Sequence, residues 1–490
     1  MTRFLSMSFF KTYALWLFLP ILGIFFGILA TTADPMIIGM GASSFMGIAL
    51  LRKPEWNVDL VIILGLFSGL MPLFFDALAT KTVWGVAILG FMLLFAAFYR
   101  LITTSGLIKT TPLFIWIALL FFIYTLVDSI LQLYSAKEVV GGFKRYFQVW
   151  GLMFGLSWLD FNKANIDRWR NIVLVICLLQ VPFCLYELFF VVPVLEGLVE
   201  SHPGLVPVDV IAGTFGASKT GGGSSAEMAI ALMMVFGFLL ARYKTNIMST
   251  KQLLLISLIL LSPLAMGETK IIIIFFPMMF ATLYRKELLT RPHYLIAALI
   301  LGSLFTAIAV SVNMMMTKMT LDELIFDTLR YNVYEVGYGE YYLNRTTVLT
   351  FWAQHQSLAD PISFLFGNGL GSAQSGSDAT VGGHIDMRYP NYGLGFTGAS
   401  LLLWELGVCG VGLFLLIIVM AWRCANQLIA QSVDPIVRAD ALAIQAGLVL
   451  FAFYPLYMGG LFSEFAFQVI FTFMLGYLAW MYKQHIEYQS

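Results

Sequence analysis

The sequence predicts an all-α membrane protein, a polytopic helical bundle of about 12–14 transmembrane helices with one large loop carrying short amphipathic helices. Three observations predict it. Of 490 residues, 60% are hydrophobic and only 11% charged, whereas soluble domains carry about 25% charged residues. Mean hydropathy is +0.85, and apolar runs of bilayer-crossing length recur along the chain. Two long polar stretches, 195–224 and 313–398, interrupt those runs.

The elements follow in order. Within 1–194, N-terminal transmembrane helices are expected at 14–33, 36–51, 58–75, 82–100, 112–133, 144–159 and 171–194. The first run follows basic residues but is long for a signal-peptide core and lacks a clean small-x-small cleavage site, so it reads as a retained helix. The first external loop is 195–224, and the central helices in 225–312 take the runs 225–241, 252–266, 270–284 and 294–312. Pro263 and the polar tetrapeptide Gly267-Glu268-Thr269-Lys270 divide 252–284 into a hairpin, because charge at bilayer depth is expensive. The large loop is 313–398, and the C-terminal helices in 399–490 take the runs 399–421, 438–458 and 461–481.

Lys and Arg placement sets the orientation. With a cytoplasmic N-terminus, eighteen of the 28 basic residues lie in inside segments, so both termini are cytoplasmic and both long loops are external. Formal net charge is zero, which gives no general attraction to nucleic acid. The four cysteines form no CxxC or His/Cys spacing, so neither a disulfide framework nor a metal site is expected.

Several residues are placed to do chemistry. Ser224 and Glu227 match the S-x-x-E capping pattern at a helix start, behind Gly221–Gly223 and beside Lys219. A helix N-terminus, open backbone and a lysine make a phosphate cradle, although no nucleotide P-loop pattern is present. Lys270 marks the hairpin tip, while Lys144 and Arg145 read as headgroup anchors. In the large loop, Arg345 heads an amphipathic segment, and the polar, flexible stretch "LFGNGLGSAQSGSDATVGGHIDMRYPNYG" brings His384 and Arg388 within one helical turn. His384 beside carboxylates suits a general base. Glu405, an intramembrane carboxylate, is the second candidate for that role.

In order, "GTFGASKTGGGSS", "GETK", "NRTTVLTFW", "FLFGNGLGS" and "TGASLLLWELGVCGVG" resemble the bacterial O-antigen polymerase and O-antigen ligase family over about 205–412. The resemblance implies a GT-C type, metal-independent membrane glycosyltransferase with no cofactor. It would transfer a glycan from undecaprenyl pyrophosphate to a sugar hydroxyl at the periplasmic face of the bacterial inner membrane, in exopolysaccharide, capsule or O-antigen assembly. Implied partners are the undecaprenyl-pyrophosphate-linked glycan, membrane lipids, a chain-length regulator and export machinery.

By the same resemblance, Arg345, Lys270 and Lys219 hold the pyrophosphate; the residues themselves add Arg388 to substrate binding and complete the catalytic set of Arg345 with His384 as the first candidate base and Glu405 as the second. Lysine stands at two positions where the family carries arginine, keeping the charge without the bidentate fork. Phe396 and Thr397 occupy the place of the family's His-Asn pair, which points to a polymerase over a ligase acting on lipid A core. A lipid-linked glycan flippase or exporter is the reading from another class, and a non-catalytic scaffold of an envelope complex is a third.

Overall fold

A bilayer offers no water to bare N–H and C=O groups, so each apolar run must satisfy its own backbone as a helix. The computed structural model describes residues 34–489 except 76, 199–206, 218–222, 268–269, most of 292–319, 335–336, 338–340 and 377–381, together with Gly27 and Thr31. The expected runs 14–33 and 294–312 fall almost entirely outside these residues. Among the described residues the chain is helical and has no strand. Seven helices are long and apolar enough to cross a membrane, and three shorter apolar ones accompany them. The described residues therefore carry fewer full-length spans than the 12–14 expected.

The helices, in chain order, are α1 Pro35–Leu50, α2 Pro54–Phe67, α3 Ala77–Thr103, α4 Leu113–Leu131, α5 Ala136–Phe147 and α6 Trp150–Trp158. Then come α7 Lys163–Glu196, α8 Ser225–Lys244, α9 Thr250–Met266 and α10 Ile272–Leu283. The large loop holds α11 Leu321–Asn332, α12 Thr347–His355 and the short α13 His384–Arg388. Last are α14 Gly398–Gln431, α15 Pro435–Phe453 and α16 Phe465–Gln489.

Two expected spans are broken. The 58–75 run ends as α2 at Phe67 and passes through a tight turn at Ser68–Leu70. The 144–159 run does not begin at Lys144, because that residue and Arg145 close the amphipathic α5, and α6 starts only at Trp150. Small residues let α6 lie against its neighbours. A Cβ on Gly151 would fall 2.0 Å from the Gly90 carbonyl of α3, and one on Gly476 would fall 2.7 Å from Leu156. Such close approach is how helices associate in lipid, where burial of apolar area gives no advantage. Helices α8 and α16 are the most deeply buried spans.

One end of the bundle collects the basic residues assigned to the inside. Asp160 pairs with Arg100 and with Lys483 at 2.8 Å. Asp440 takes Arg242 at 2.7 Å and Arg170 at 3.2 Å. The Lys244 ammonium donates to the Leu283 carbonyl at 2.7 Å and pairs with Glu287 at 2.8 Å. The ends of α8 and α10 therefore meet, so α9 and α10 form the expected hairpin.

The opposite end is built around a break in α14. Gly407 has φ +62° and ψ −168° inside this helix. The carbonyls freed there are covered from outside. Asn368 donates to the Trp404 oxygen through its backbone at 2.9 Å and its side chain at 2.8 Å. Gly369 N–H donates to the Glu405 oxygen at 2.9 Å, and the Tyr124 hydroxyl to Leu406 at 2.7 Å. Gly367, Gly369 and Gly371, all at φ +83°, make this docking possible. The glycines read from sequence as loop flexibility are thus fixed packing positions. A Cβ on Gly407 would lie 2.4 Å from the Leu365 backbone, whereas one on Gly412 meets nothing within 4 Å. Left-handed backbone costs a non-glycine roughly 1–2 kcal/mol before any overlap. Gly407→Ala should therefore lower the thermal unfolding midpoint in detergent by several degrees and Gly412→Ala should not; equal midpoints for the two variants would count against the docked break.

Candidate functional site

Glu405 lies two residues before the break and is fully buried. Its Oε1 accepts the Ala373 N–H at 3.4 Å and faces the Gly371 N–H, both from the docked loop. Beside it stands the Tyr146 hydroxyl of α5, whose ring stacks on Phe462 at 5.1 Å. The carboxylate is therefore presented to α5 by the loop that covers the helix break.

Next to it, α5 and the turn before α16 bring together charges that the sequence reading kept apart. Arg145 lies within electrostatic range of both Glu405 and Glu464, and Lys144 within range of Glu464. The Lys144 ammonium also sits over the Trp84 ring at 5.5 Å. Main-chain carbonyls hold the frame: Gln468 donates to the Arg145 oxygen at 2.6 Å and Gln148 to the Ser463 oxygen at 3.2 Å. Lys144, Arg145 and Glu464 are half-buried, and Ser463 is exposed. Lys144 and Arg145, expected as headgroup anchors, are half-buried beside these carboxylates.

Glu227 also belongs here and does not act as expected. Ser224 makes no capping hydrogen bond to α8. Instead its hydroxyl faces Glu464, and Glu227 Oε1 accepts the Tyr454 hydroxyl. The S-x-x-E pattern is real in sequence, but a tertiary partner outcompetes the local cap at both of its ends.

His384 opens α13, and its Nδ1 lies 2.6 Å from Glu138 Oε1 on α5. The ring stacks on Tyr134 with centroids 4.5 Å apart. With Glu138 accepting from Nδ1–H, the tautomer leaves Nε2 as the basic nitrogen. Two residues on, burial pushes the Asp386 carboxyl above its usual range, and the Ser375 hydroxyl at 3.0 Å draws it part of the way back. Gly371 joins the two halves of the site. It faces Glu405, and a Cβ there would fall 2.4 Å from the Glu138 carbonyl.

Arg345 is a clamp. Its guanidinium donates to Asn332 Oδ1 at 2.8 Å and to the Tyr457 carbonyl at 3.0 Å, over the rings of Tyr457 and Phe396. It thereby ties the end of α11 and the turn after α15 to the approach of α14. Arg388 is exposed with its guanidinium over Tyr389 at 5.7 Å. Lys270 sits at the α9–α10 hairpin tip. Lys219 lies outside the described residues.

Sequence reasoning missed Lys144, Arg145, Glu138, Tyr146, Glu227 and Glu464 as one group. The available signal was α5 itself. Its segment "AKEVVGGFKRYF" places Glu138 and Arg145 seven residues apart, on one face and two turns along. Comparison with family models, with curated proteins and with solved structures finds no match to this chain.

If Arg345 is the clamp, Arg345→Lys keeps the charge but loses the planar fork. Limited proteolysis in detergent should then cut within 313–398 several-fold faster than in the wild type. An unchanged cleavage rate would remove the clamp role.

Proposed function

We propose that this chain is a membrane polysaccharide polymerase. It would transfer a glycan from undecaprenyl diphosphate to the hydroxyl of an acceptor sugar, on the side of the membrane where 313–398 lies, here taken as the periplasm. The observation that carries the reading is the composition of α5. One helix bears the half-buried Lys144–Arg145 pair and, about 10 Å away by helical rise, the Glu138 that holds His384. A diphosphate leaving group needs fixed positive charge, and an attacking hydroxyl needs a base. This helix presents both.

The site departs from the family expectation in which cations do the work. Lys144 and Arg145 take the role first given to Lys219 and Lys270, and Arg345 supports the loop rather than meeting substrate. In the reaction, the acceptor oxygen attacks the anomeric carbon while its proton passes to His384 Nε2. The bond from that carbon to the diphosphate oxygen breaks, and the electron pair leaves with undecaprenyl diphosphate, whose charge Lys144 and Arg145 meet. Glu138 positions the imidazole and stabilises it once protonated. Glu405, held by loop N–H groups and close to Arg145, fixes the arginine side of the site.

The decisive experiment is complementation in cells from which the gene is deleted, scored by polymer length and by single repeat units accumulating on the carrier lipid. Arg145→Ala and His384→Ala should each reduce polymer at least about 100-fold, with wild-type amounts of protein in the membrane. Arg388→Ala, which removes an exposed side chain lying over Tyr389, should leave chain length unchanged. Normal polymer in both Arg145→Ala and His384→Ala would overturn the assignment, as would a Gly376→Cys label reachable only from the cytosol.

A further inference from the structure

Four buried oxygens around the turn Gly460–Glu464 and the α14 break lack a hydrogen-bond partner among the described residues: Gln148 Oε1, Glu227 Oε2, Glu405 Oε2 and Gln468 Oε1. Their side chains are 0–2% exposed. They come from four separate elements yet share neighbours. Gln148 donates to Ser463, Gln468 to Arg145, and Glu227 and Glu464 lie within electrostatic range of each other. Arg145 reaches both Glu464 and Glu405. Buried polar atoms in folded proteins nearly always find a partner, so four orphans linked by shared neighbours are where water or a bound molecule would supply the missing donors.

All four are acceptors. The amide nitrogens of Gln148 and Gln468 are committed to main-chain carbonyls, which fixes the oxygen as the end each presents. The matching ligand is therefore rich in donors. A metal cation fits poorly, because Lys144 and Arg145 share the charge of the neighbouring carboxylates and no three His, Cys, Asp or Glu side chains among the described residues converge as ligands. Neutral hydroxyls fit well, since each donates to an orphan oxygen and can accept in return from the Tyr146 hydroxyl, which stands beside Glu405.

We infer that Gln148, Glu227, Glu405 and Gln468 form the subsite for the sugar joined directly to the diphosphate, reading its hydroxyls while Lys144 and Arg145 hold the phosphates. The inference rests on the polymerase reading. It places donor-sugar recognition inside the bundle, between the end of α5, α8, α14 and α16, with the half-buried edge at Lys144, Arg145 and Glu464 as the entrance.

The test measures binding of two probes to the full chain in lipid nanodiscs: undecaprenyl diphosphate alone, and undecaprenyl diphosphate bearing the repeat unit isolated from cells lacking this chain. Glu227→Gln and Gln468→Leu should each weaken the glycosylated probe about tenfold and leave the bare probe within about twofold. The double variant Lys144→Ala/Arg145→Ala should weaken both probes alike. Should Glu227→Gln fail to fold, as judged by its unfolding midpoint, Gln468→Leu and Gln148→Leu carry the comparison. Equal weakening of both probes, or no change in either, overturns the subsite, the latter meaning that water alone meets these oxygens. A sodium-dependent signal lost in Glu227→Gln with sugar binding intact overturns it in favour of a cation. If the wild type binds neither probe, the polymerase reading falls and the subsite with it; if it binds only the bare probe, the subsite alone falls.

Discussion

The break at Gly407 sets the terms for the whole loop end of this bundle. An interrupted helix leaves carbonyl oxygens that lipid cannot satisfy, each costing several kcal/mol if left bare. Here Asn368, Gly369 and Tyr124 supply the donors. The Leu365–Gly371 segment must therefore approach the membrane helix closely enough for backbone to meet backbone. Glycine suits that at 367, 369 and 371, where φ is positive, and at 367 and 371 a side chain would also strike a neighbour. Once this segment is seated, Gly371 and Ala373 present their N–H groups to Glu405, Gly371 rests on α5, and His384 is brought to Glu138. One local backbone requirement thus assembles residues from opposite halves of the sequence.

That dependence explains what the sequence could and could not reveal. Apolar runs announce helices because their signal is local, and the Lys and Arg bias grouped correctly the residues that share one end, such as Arg100, Arg242 and Lys483. Proline and "GETK" marked the α9–α10 hairpin for the same reason. Glu405 and His384 stood out as a polar residue in an apolar run and a histidine among carboxylates. Their partners did not, because Glu138 is 246 residues from His384 and nothing in its own segment marks it. Glu227 shows the opposite failure. Its local pattern was complete, yet the Tyr454 hydroxyl, 227 residues away, was the partner it took. Spacing reports what a residue can do within one helix, and the site is made between helices.

Both ends of the bundle bury carboxylates, and comparing them indicates where chemistry belongs. At the basic end, both Asp440 oxygens are occupied: Oδ1 accepts from Arg242 Nε at 2.8 Å, and Oδ2 from Arg242, Arg170 and the Tyr477 hydroxyl at 2.7, 3.2 and 2.6 Å. Such a carboxylate has a donor on each oxygen, and removing its partners would strand charge in a poorly solvated place. It behaves as a joint between α7, α8, α15 and α16. At the loop end, Glu227 and Glu405 each keep one oxygen without a donor, and both glutamines turn an oxygen the same way. A structure that merely needed to close this end could have saturated these groups as it saturates Asp440. It instead leaves acceptors beside two cations whose charge Glu464 and Glu405 share, so the missing donors must come from water or from a bound molecule.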